Sequence, residues 1–310
     1  MPTNTNQNRL SYVVITPARN EERYIEKLIQ SMISQTVLPA KWVIVNDGST
    51  DATATIVGKY LENHSWMELL NLSPHRDRSF AAKVHAFNAG LQRMKDMQFD
   101  VIGNLDSDVS FEADYIEFLL DKFAQDANLG VCGTIFREEG YSSGSDSFEG
   151  SNHVAGGCQL FRRNCFEQIG GYVPNKAGGI DWVAVTTARM KGWTTRSFRE
   201  KYFFHYRSLG TAERSLLASA FSYGEKDYYL GNHPLWEAFR IAYRALKRPF
   251  VLGSIALLSG YLWALVRRID RAVSDELMRF HRQEQMKKLS GILKSVVRLK
   301  KIDNFEVKPT

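Results

Sequence analysis

Residues 42–51 have the sequence Trp-Val-Ile-Val-Asn-Asp-Gly-Ser-Thr-Asp, a short apolar run that ends in an acidic turn. A second apolar run, residues 101–105, is followed directly by Asp106-Ser107-Asp108. Ligands of open α/β sheets bind beyond the carboxyl ends of the strands, and Mg²⁺ is usually held by a few carboxylates together with substrate phosphates. The two acidic strand ends therefore predict a site for a divalent cation and a phosphorylated ligand such as a nucleotide.

Strand-like and helix-like segments alternate around these two turns. We expect strands at residues 10–16, 42–45, 67–72 and 101–105, with amphipathic helices between them, and further strands at residues 130–136 and 156–162. This alternation predicts an α/β fold with a mostly parallel central sheet covered on both faces. We expect a disordered N-terminus over residues 1–9, one catalytic domain over residues 10–230 and a helical tail over residues 231–310.

The charge of the chain is unevenly distributed. The formal net charge of the 310 residues is +6, but residues 234–310 alone hold 16 Lys and Arg against 7 Asp and Glu. A nucleic-acid partner would need basic residues across the folded domain, whereas a basic, apolar tail suits an anionic membrane surface. The N-terminus has no apolar segment for export, and the three cysteines are too few for a disulfide framework. These features predict a cytosolic protein with reduced thiols and no nucleic-acid partner.

The tail contains two segments that favour membrane association. A helix beginning at Pro234 would carry Trp236, Phe239, Tyr243 and Leu246 on one face and Arg240 on another, a pattern typical of a helix in the membrane interface. The alternative is an amphipathic helix packed on the catalytic domain. Residues 249–266 are uncharged but only just long enough to span a bilayer. We expect a peripheral, monotopic or single-span protein at the cytoplasmic face of the cell membrane, or a homo-oligomer that buries this segment.

Several ordered motifs resemble family 2 glycosyltransferases over about residues 10–210. They are residues 13–22 (Val-Val-Ile-Thr-Pro-Ala-Arg-Asn-Glu-Glu), residues 45–51, Asp106-Ser107-Asp108, residues 83–90 with their Ala-x-Asn-x-Gly ending, and Gly170-Gly171-Tyr172 before Asp181. The resemblance implies the Rossmann-like glycosyltransferase A fold and a UDP- or GDP-linked sugar donor. It also implies Mg²⁺ or Mn²⁺ as cofactor and transfer with inversion at the anomeric carbon.

The resemblance assigns donor and metal roles residue by residue. Asp47 would accept hydrogen bonds from the nucleobase, and Asp108, helped by Asp106, would hold the metal, although Asp106 in such a pair often faces the ribose. Lys83 would reach a diphosphate or stabilise the carboxylates, or else be a solvated helix lysine. The remaining residues implied at the donor site are Pro17, Arg19 and Glu21, which would line the nucleotide pocket, and His205, a metal ligand or a structural histidine.

The acceptor side depends on Asp181. Inverting transfer needs a base opposite the leaving group, and Asp181 is the acid that matches, although the family usually has Glu-Asp where this chain has Ile180-Asp181. An acid in the first turn of a helix can also be a capping residue. Trp182 would stack on an acceptor sugar or pack in the core, and Arg207 would bind a phosphate of the donor or of a lipid acceptor, or lie on the surface.

The sequence thus predicts an inverting, metal-dependent glycosyltransferase that acts on a lipid-linked or surface-glycan precursor, such as a polyprenyl-linked acceptor. A nucleotidyltransferase of related fold is one alternative, but it would need a glycine-rich basic loop after the first strand, and residues 17–21 offer none. A non-catalytic membrane scaffold is the other alternative, and the four acids Asp47, Asp106, Asp108 and Asp181 count against it.

Overall fold

A computed structural model describes residues 9–75, 79–139, 141–143, 150–175, 178–207, 216–246 and 250–298. Of these, the residues from Arg207 onward, together with Gly150, Gly178 and Gly179, form a second compact unit, and the remainder form the first. The expected domain boundary at residue 230 thus lies inside the second unit. The helix that precedes residue 230 groups with the later helices because it packs closely on one of them, as described below. The expected disordered segment, residues 1–9, lies outside the described residues except for Arg9.

The first unit contains the sheet. Its strands within the described residues are β1 (Tyr12–Ala18), β2 (Lys41–Asn46), β3 (Met67–Asn71), β4 (Val101–Leu105), β5 (Val109–Ser110), β6 (Leu129–Glu138), β7 (Tyr141–Ser142), β8 (Cys158–Arg162) and β9 (Thr194–His205). Its helices are α1 (Ile25–Ile33), α2 (Thr53–Leu61), α3 (Phe80–Gln92), α4 (Tyr115–Gln125), α5 (Arg163–Gln168) and α6 (Ile180–Met190). A 3-10 turn, Gly150–Asn152, begins with a residue of the second unit and continues into the first. The second unit has α7 (Leu216–Tyr229), α8 (Pro234–Arg244), α9 (Val251–Val266) and α10 (Asp275–Val297).

The strands form one mixed sheet in the order β3-β2-β1-β4-β8-β6-β9-β5, with β7 paired to β6. Neighbouring strands from β3 to β4 are parallel, and β6 is parallel to β9, whereas β8 is antiparallel to both of its neighbours. The predicted α/β class is confirmed. The sequence analysis assigned no strand to β5 or β9. β5 has only two residues, too few for a recognisable pattern. β9 pairs with β6 in a register that shifts twice, and this pairing is visible only in the tertiary structure.

Alternate residues of the central strands supply two separate cores. Tyr12 and Val14 of β1 belong to the cluster on one face of the sheet, and Val13 and Ile15 belong to the cluster on the other face. Successive side chains of a strand point to opposite faces, so a run that is apolar throughout must be covered on both sides. The parallel strands are covered on both faces in this way. A ligand is therefore expected at their polar carboxyl ends.

The second unit differs from the interfacial helix expected at Pro234. Trp236, on the apolar face of α8, is only 3 % exposed and packs with Leu289 and Ile292 of α10. Arg240, expected on the basic face, pairs with Asp227 of α7 at 2.5 Å. The apolar stripes of α8 and α10 therefore cover each other, and Trp236 is not available to a membrane interface.

Helices α7 and α9 are in close contact through two glycines. A Cβ atom on Gly224 would lie 2.0 Å from the carbonyl oxygen of Leu257, and one on Gly260 would lie 2.0 Å from that of Phe221. Only glycine permits this approach of the two backbones, a device that is also used between helices in membranes. Across the described part of the chain, no helix is both long enough and apolar enough to cross a bilayer.

Candidate functional site

The predicted acids lie at the carboxyl ends of parallel strands. Asp47 follows β2, and its backbone N–H donates to the carbonyl of Ala18, the last residue of β1, at 2.8 Å. Asp106 follows β4, the other neighbour of β1. The two acidic turns therefore flank the end of one central strand, where a ligand of an α/β sheet is expected.

Asp47 is part of a small polar cluster. Its side chain is 9 % exposed, and its Oδ1 atom lies 2.7 Å from Nε2 of His75. The Arg19 guanidinium lies 3.9 Å from Oδ2 of Asp47 and also donates to the carbonyl oxygen of His75. The predicted neighbours Asp47 and Arg19 are thus brought together, and His75 is an addition that the sequence analysis did not include.

The absence of a side chain at Gly48 allows the segment that carries His75 to approach Asp47. Gly48 has a φ of +67°, and a Cβ atom there would lie 2.8 Å from Cα of Pro74. A side chain would push the Ser73-Pro74-His75 segment away from the β2 turn. The side-chain oxygen of Asn46 accepts from the amide of Ser49 at 3.0 Å and holds the turn.

The other two residues expected at the nucleotide pocket lie at the end of β1. Pro17 pairs with Val45 in the parallel register of β1 and β2. Glu21 is buried; its amide donates to Thr53 Oγ1 at 2.8 Å and its carbonyl accepts from Tyr24 and Ile25. The backbone of Glu21 therefore connects the start of α1 to α2, and contact of Pro17 and Glu21 with a nucleotide stays a prediction.

A second group joins three of the predicted residues, Asp106, Asp108 and His205. Each offers one ligand atom, and these atoms all lie within 4.8 Å of one another. The pairing of β5 with β9 causes this, because Val109 stands opposite His205 and the amide of Tyr206 donates to the carbonyl of Asp108 at 2.9 Å. Two carboxylates and one imidazole are a suitable ligand set for a divalent cation such as Mn²⁺, so the residues fit the metal that the sequence predicts.

Lys83 extends from α3 to the first of these carboxylates. Its ammonium hydrogen-bonds to Oδ1 of Asp106. Desolvation would lower the pKa of Lys83, but the charges of Asp106, Asp181 and Asp108 raise it overall, so the side chain stays positively charged. Of the roles expected for Lys83, the structure shows the contact with the carboxylates.

The Ala-x-Asn-x-Gly motif accounts for the position of Lys83. A Cβ atom on Gly90 would lie 2.8 Å from Cγ2 of Ile15 and 2.9 Å from Cγ2 of Val45. Helix α3 therefore lies directly on β1 and β2. Because seven residues are about two turns of a helix, Lys83 lies on the same face of α3 as Gly90 and is directed towards the end of the sheet.

Asp181 lies in the first turn of α6 and packs against a glycine. A Cβ atom on Gly156 would lie 3.1 Å from Oδ2 of Asp181. The next residue, Gly157, accepts a hydrogen bond from the amide of Asp106 at 2.9 Å. Asp181 therefore lies against Gly156, whose neighbour Gly157 is hydrogen-bonded to Asp106. The charge of Asp181 also contributes to the raised pKa of Lys83.

The Gly170-Gly171-Tyr172 motif has a structural role in bringing α6 to the site. Both glycines have positive φ, 76° and 73°, and their amides donate to the carbonyls of Glu167 and Phe166, which ends α5. Tyr172 then enters the core, where its hydroxyl donates to Gln159 at 2.7 Å. Burial raises the pKa of Tyr172 well above its usual range, and nearby Asp181 and Asp106 add to the effect.

The two residues proposed for the acceptor differ in setting. Trp182 is 6 % exposed, which favours its packing role over an open stacking face. Arg207 begins the long C-terminal part of the second unit. The contact of either residue with an acceptor stays a prediction.

Three residues at the site were missed by sequence reasoning: His75, Gly156 and Glu138. His75 follows the third parallel strand, so the rule that ligands meet strand ends was a usable signal. Gly156 begins a Gly-Gly pair ahead of β8, a sign of close backbone approach. Glu138 lies 3.1 Å from His205 at the end of β6. Because the partner strand β9 was not predicted, the sequence around Glu138 did not indicate that it would meet His205.

The model of the family "Glycosyl transferase family 2" matches residues 13–146. Hyaluronan synthase of Pasteurella multocida is 32% identical over 131 residues, which is 42% of this chain and 13% of that protein. The 4,4'-diaponeurosporenoate glycosyltransferase of Staphylococcus aureus (strain bovine RF122 / ET3-1) is 32% identical over 127 residues, 41% of this chain and 32% of that protein. The chain therefore spans less than a third of the length of these curated relatives.

Solved structures share the fold over nearly the whole chain. The mannosyltransferase PcManGT from Pyrobaculum calidifontis, in complex with GDP-Man and Mn²⁺, has a TM-score of 0.56 at 18% identity and covers 94% of this chain and 81% of its own. Residues 1–349 of S. aureus TarS, in complex with UDP-GlcNAc, have a TM-score of 0.53 at 16% identity, with 93% and 82% covered. GalNAc-T7 with UDP, GalNAc and Mn²⁺ has a TM-score of 0.58 at 14% identity, with 96% and 60% covered. At these identities the likeness concerns the fold alone.

Proposed function

We propose that this chain is a family 2 glycosyltransferase, which transfers a sugar from a nucleotide-sugar to an acceptor hydroxyl with inversion at the anomeric carbon; the family model that matches residues 13–146 supports this. The observation that carries the proposal is the convergence of Asp106, Asp108, His205, Lys83 and Asp181 at one edge of the sheet. A non-catalytic scaffold has no need to bring three carboxylates and a lysine together, because like charges repel and such a cluster costs stability unless a ligand uses it.

The donor nucleotide would lie between the two acidic turns. Asp47 can accept N–H groups of a base, and Arg19 beside it supplies positive charge. Solved neighbours hold a UDP-linked sugar in one structure and a GDP-linked sugar in another. Both uracil and guanine present ring N–H groups to a carboxylate, so the proposal includes either base and the experiment below distinguishes them.

Asp106, Asp108 and His205 would hold the divalent cation. When bound, the cation would offset the negative charge that the diphosphate leaving group gathers. Lys83 adds a second positive charge at Asp106 and keeps it throughout the usual pH range. The imidazole favours Mn²⁺ over Mg²⁺, because Mg²⁺ prefers a set made of oxygen atoms.

Asp181 is the proposed base. Its carboxylate would accept the proton of the acceptor hydroxyl while the acceptor oxygen bonds to the anomeric carbon and the bond from that carbon to the diphosphate oxygen breaks. The backbone at Gly156 lies against this side chain, since a Cβ atom there would come within 3.1 Å of Oδ2 of Asp181. The charge of Asp181 contributes to the raised pKa of Lys83, so the two side chains interact electrostatically.

The test combines binding with turnover. Purified protein is titrated calorimetrically with UDP and GDP, each with and without Mn²⁺, and then incubated with sugars linked to the nucleotide that binds. We expect Asp108→Ala to abolish metal-dependent binding and Asp181→Asn to keep binding but lose transfer and hydrolysis by at least about 100-fold, the usual contribution of a general base. Asp121→Asn, an exposed acid on α4, is the matched control. Failure of the protein to bind either nucleotide in the presence of metal would contradict the proposal.

The exposed surface of the second unit indicates the kind of acceptor that we propose. Apolar side chains of α9 are exposed over most of its length, although the helix packs on α7 along its glycine face. The exposed residues of α9 are Val251, Leu252, Ile255, Leu258, Leu262, Trp263, Leu265 and Val266. Exposed apolar surface of this extent marks an interaction site.

Exposed basic residues of the second unit favour an anionic membrane as the partner of this surface. Arg267 and Arg268 follow α9 directly, Lys287 and Lys294 lie on α10, and Arg298 follows α10. An interfacial helix binds through apolar area together with attraction to anionic lipids. We therefore propose that the enzyme acts at the cytoplasmic face of the cell membrane, with a lipid-linked glycan precursor as acceptor. Arg207, in the same unit, would bind a phosphate of that acceptor.

Vesicle co-sedimentation tests the membrane proposal. We expect binding to vesicles that contain phosphatidylglycerol, weakened by salt and by Arg267→Gln with Arg268→Gln, and weaker binding to neutral vesicles. Leu252→Asn on α9 should reduce binding, and Leu38→Asn, an exposed leucine of the first unit, should leave it unchanged. If Leu252→Asn instead dissociates an oligomer without affecting vesicle binding, the surface is an interface between copies of the chain.

A further inference from the structure

The imidazole of His205 has a carboxylate on each side. Its Nδ1 atom lies 3.1 Å from Oε1 of Glu138, and its Nε2 atom lies 3.6 Å from Oδ1 of Asp108. The side chains of His205 and Glu138 are 7% and 10% exposed, so water has little access to this contact. Phe136 lies against the ring edge-on at 6.1 Å between centroids. The ring is therefore held from two directions.

The pairing of β6 with β9 produces the contact between Glu138 and His205. Arg137 of β6 stands opposite Phe204 of β9 in the parallel register. The next residues, Glu138 and His205, are the last of their strands. His205 also stands opposite Val109 of β5. Glu138 is thus brought to the histidine from a strand that contains none of the metal-ligand group.

The chemistry of the two partners determines which nitrogen carries the proton. An ionised carboxylate can only accept, so a hydrogen bond with Glu138 requires the proton on Nδ1. A neutral imidazole then has its lone pair on Nε2, the atom that faces Asp108. Histidine ligands of metals commonly donate their other N–H to a carboxylate in this way, which fixes the ring and raises its basicity.

We propose that Glu138 is a positioning residue, which holds His205 with Nδ1 protonated and Nε2 free to ligate the divalent cation at Asp106 and Asp108. The inference rests on the proposed metal-dependent function of this site and adds a residue that the sequence motifs do not include. Glu138 does not belong to the group of ligand atoms and acts only through the imidazole.

The expected effect is on metal affinity, which is measured without any sugar donor. Titration of the protein with Mn²⁺, followed by the electron paramagnetic resonance signal of free Mn²⁺, gives the dissociation constant. We expect Glu138→Ala to weaken Mn²⁺ binding about tenfold or more, the usual effect of removing such a partner. Glu138→Gln should recover most of the affinity, because its amide oxygen can still accept from Nδ1–H. Glu139→Ala, the exposed neighbour, is the matched control.

A double-mutant cycle distinguishes positioning from a direct charge effect. In the His205→Ala background, Glu138→Ala should cause no further loss of Mn²⁺ affinity, because the residue through which it acts is gone. An equal loss in both backgrounds, or unchanged affinity in Glu138→Ala, would overturn the inference. Circular dichroism and thermal unfolding of each variant confirm that the fold is retained.

The same titration separates the inference from the proposed function. If the unaltered protein binds Mn²⁺, Asp108→Ala abolishes binding and Glu138→Ala does not change it, only the role of Glu138 is wrong. If the unaltered protein does not bind Mn²⁺ even in the presence of the nucleotide, the metal-dependent function and the inference both fail.

Discussion

The Nε2 atom of His75 lies 2.7 Å from Oδ1 of Asp47, and this contact joins the loop after β3 to the turn after β2. One oxygen of the Asp47 carboxylate is thereby occupied, and the other, Oδ2, points towards Arg19 at 3.9 Å. The orientation of the carboxylate is therefore set before a ligand binds. Because Asp47 is the proposed acceptor of the nucleobase N–H groups, this orientation bears directly on donor binding.

We predict that His75→Ala weakens binding of the donor nucleotide about fivefold, which corresponds to the loss of one hydrogen bond of about 1 kcal/mol. The free carboxylate of Asp47 would rotate and lose its alignment. Calorimetric titration with the nucleotide checks this. Removal of the base acceptor itself, in Asp47→Ala, should have the larger effect, and His64→Ala, in the loop before β3, should have none. Stronger nucleotide binding by His75→Ala would mean that His75 competes with the base.

The contact of α3 with the sheet gives a prediction about stability. Gly90→Ala would place a methyl group 2.8 Å from Ile15 and 2.9 Å from Val45, both side chains in the buried sheet. We expect a loss of about 1–2 kcal/mol in the free energy of unfolding, because overpacking outweighs the better helix propensity of alanine. The shift of α3 should also separate Lys83 from Asp106 and reduce transfer.

Gly58 provides the matched control for this prediction. It also lies within a helix, α2, but a Cβ atom there would meet nothing within 4 Å. Gly58→Ala should therefore stabilise the protein by about 0.5–1 kcal/mol. Denaturant unfolding of both variants provides the measurement, and equal effects of the two substitutions would show that α3 is not in close contact with β1 and β2.

The contact of α7 with α9 predicts a larger effect. In Gly224→Ala the new methyl group would lie 2.0 Å from the carbonyl oxygen of Leu257, a backbone atom that can move only if the helices separate. We expect the free energy of unfolding of the second unit to fall by about 3 kcal/mol. Gly291→Ala in α10, where a Cβ atom meets nothing within 4 Å, should instead be neutral or stabilising. Hydrogen exchange of the α7 and α9 amides localises the change, and unaltered protection of α7 in Gly224→Ala would contradict the prediction.

A buried acid in the second unit predicts that stability depends on pH. Glu237, on α8, is 2 % exposed; burial raises its pKa to about 7, and the charge of Asp227 on α7 adds to this rise although Arg240 opposes it. Asn232 donates to the same carboxylate at 3.1 Å and connects it to His281 of α10. Between pH 4.5 and about 7 the folded state therefore holds a proton that the unfolded state has released.

Because the folded state holds more protons in this range, the free energy of unfolding should fall as the pH rises through it, by about 1.4 kcal/mol for each unit of the shift in pKa. Glu237→Gln keeps an acceptor for Asn232 and cannot ionise. Its stability relative to the unaltered protein should increase from pH 5 to pH 8, as measured by denaturant unfolding at both values. Glu284→Gln, a less buried acid on α10, is the control, and parallel pH profiles for Glu237→Gln and the unaltered protein would show that Glu237 is not the titrating group.

Much of the first unit follows from local sequence. The apolar runs of β1, β2 and β4 alternate with amphipathic helices, so the strands, their parallel pairing and the acids at their ends could be predicted before any contact was known. The glycines at positions 48 and 90 belong to motifs quoted in the sequence analysis, and a Cβ atom at either position would lie less than 3.0 Å from a neighbouring atom. These features were predictable because each depends on hydrophobic periodicity or on backbone geometry within a short segment.

The sequence alone determined the α/β fold class, the resemblance to family 2 glycosyltransferases and the places of Asp47, Asp106 and Asp108 at strand ends, because strand ends and turns are encoded by neighbouring residues. Only the tertiary structure decided that Glu138 meets His205, that His75 meets Asp47 and that α10 covers Trp236 of α8. These contacts join residues far apart in the chain, and their energies depend on strand registers and helix packing that no local pattern specifies.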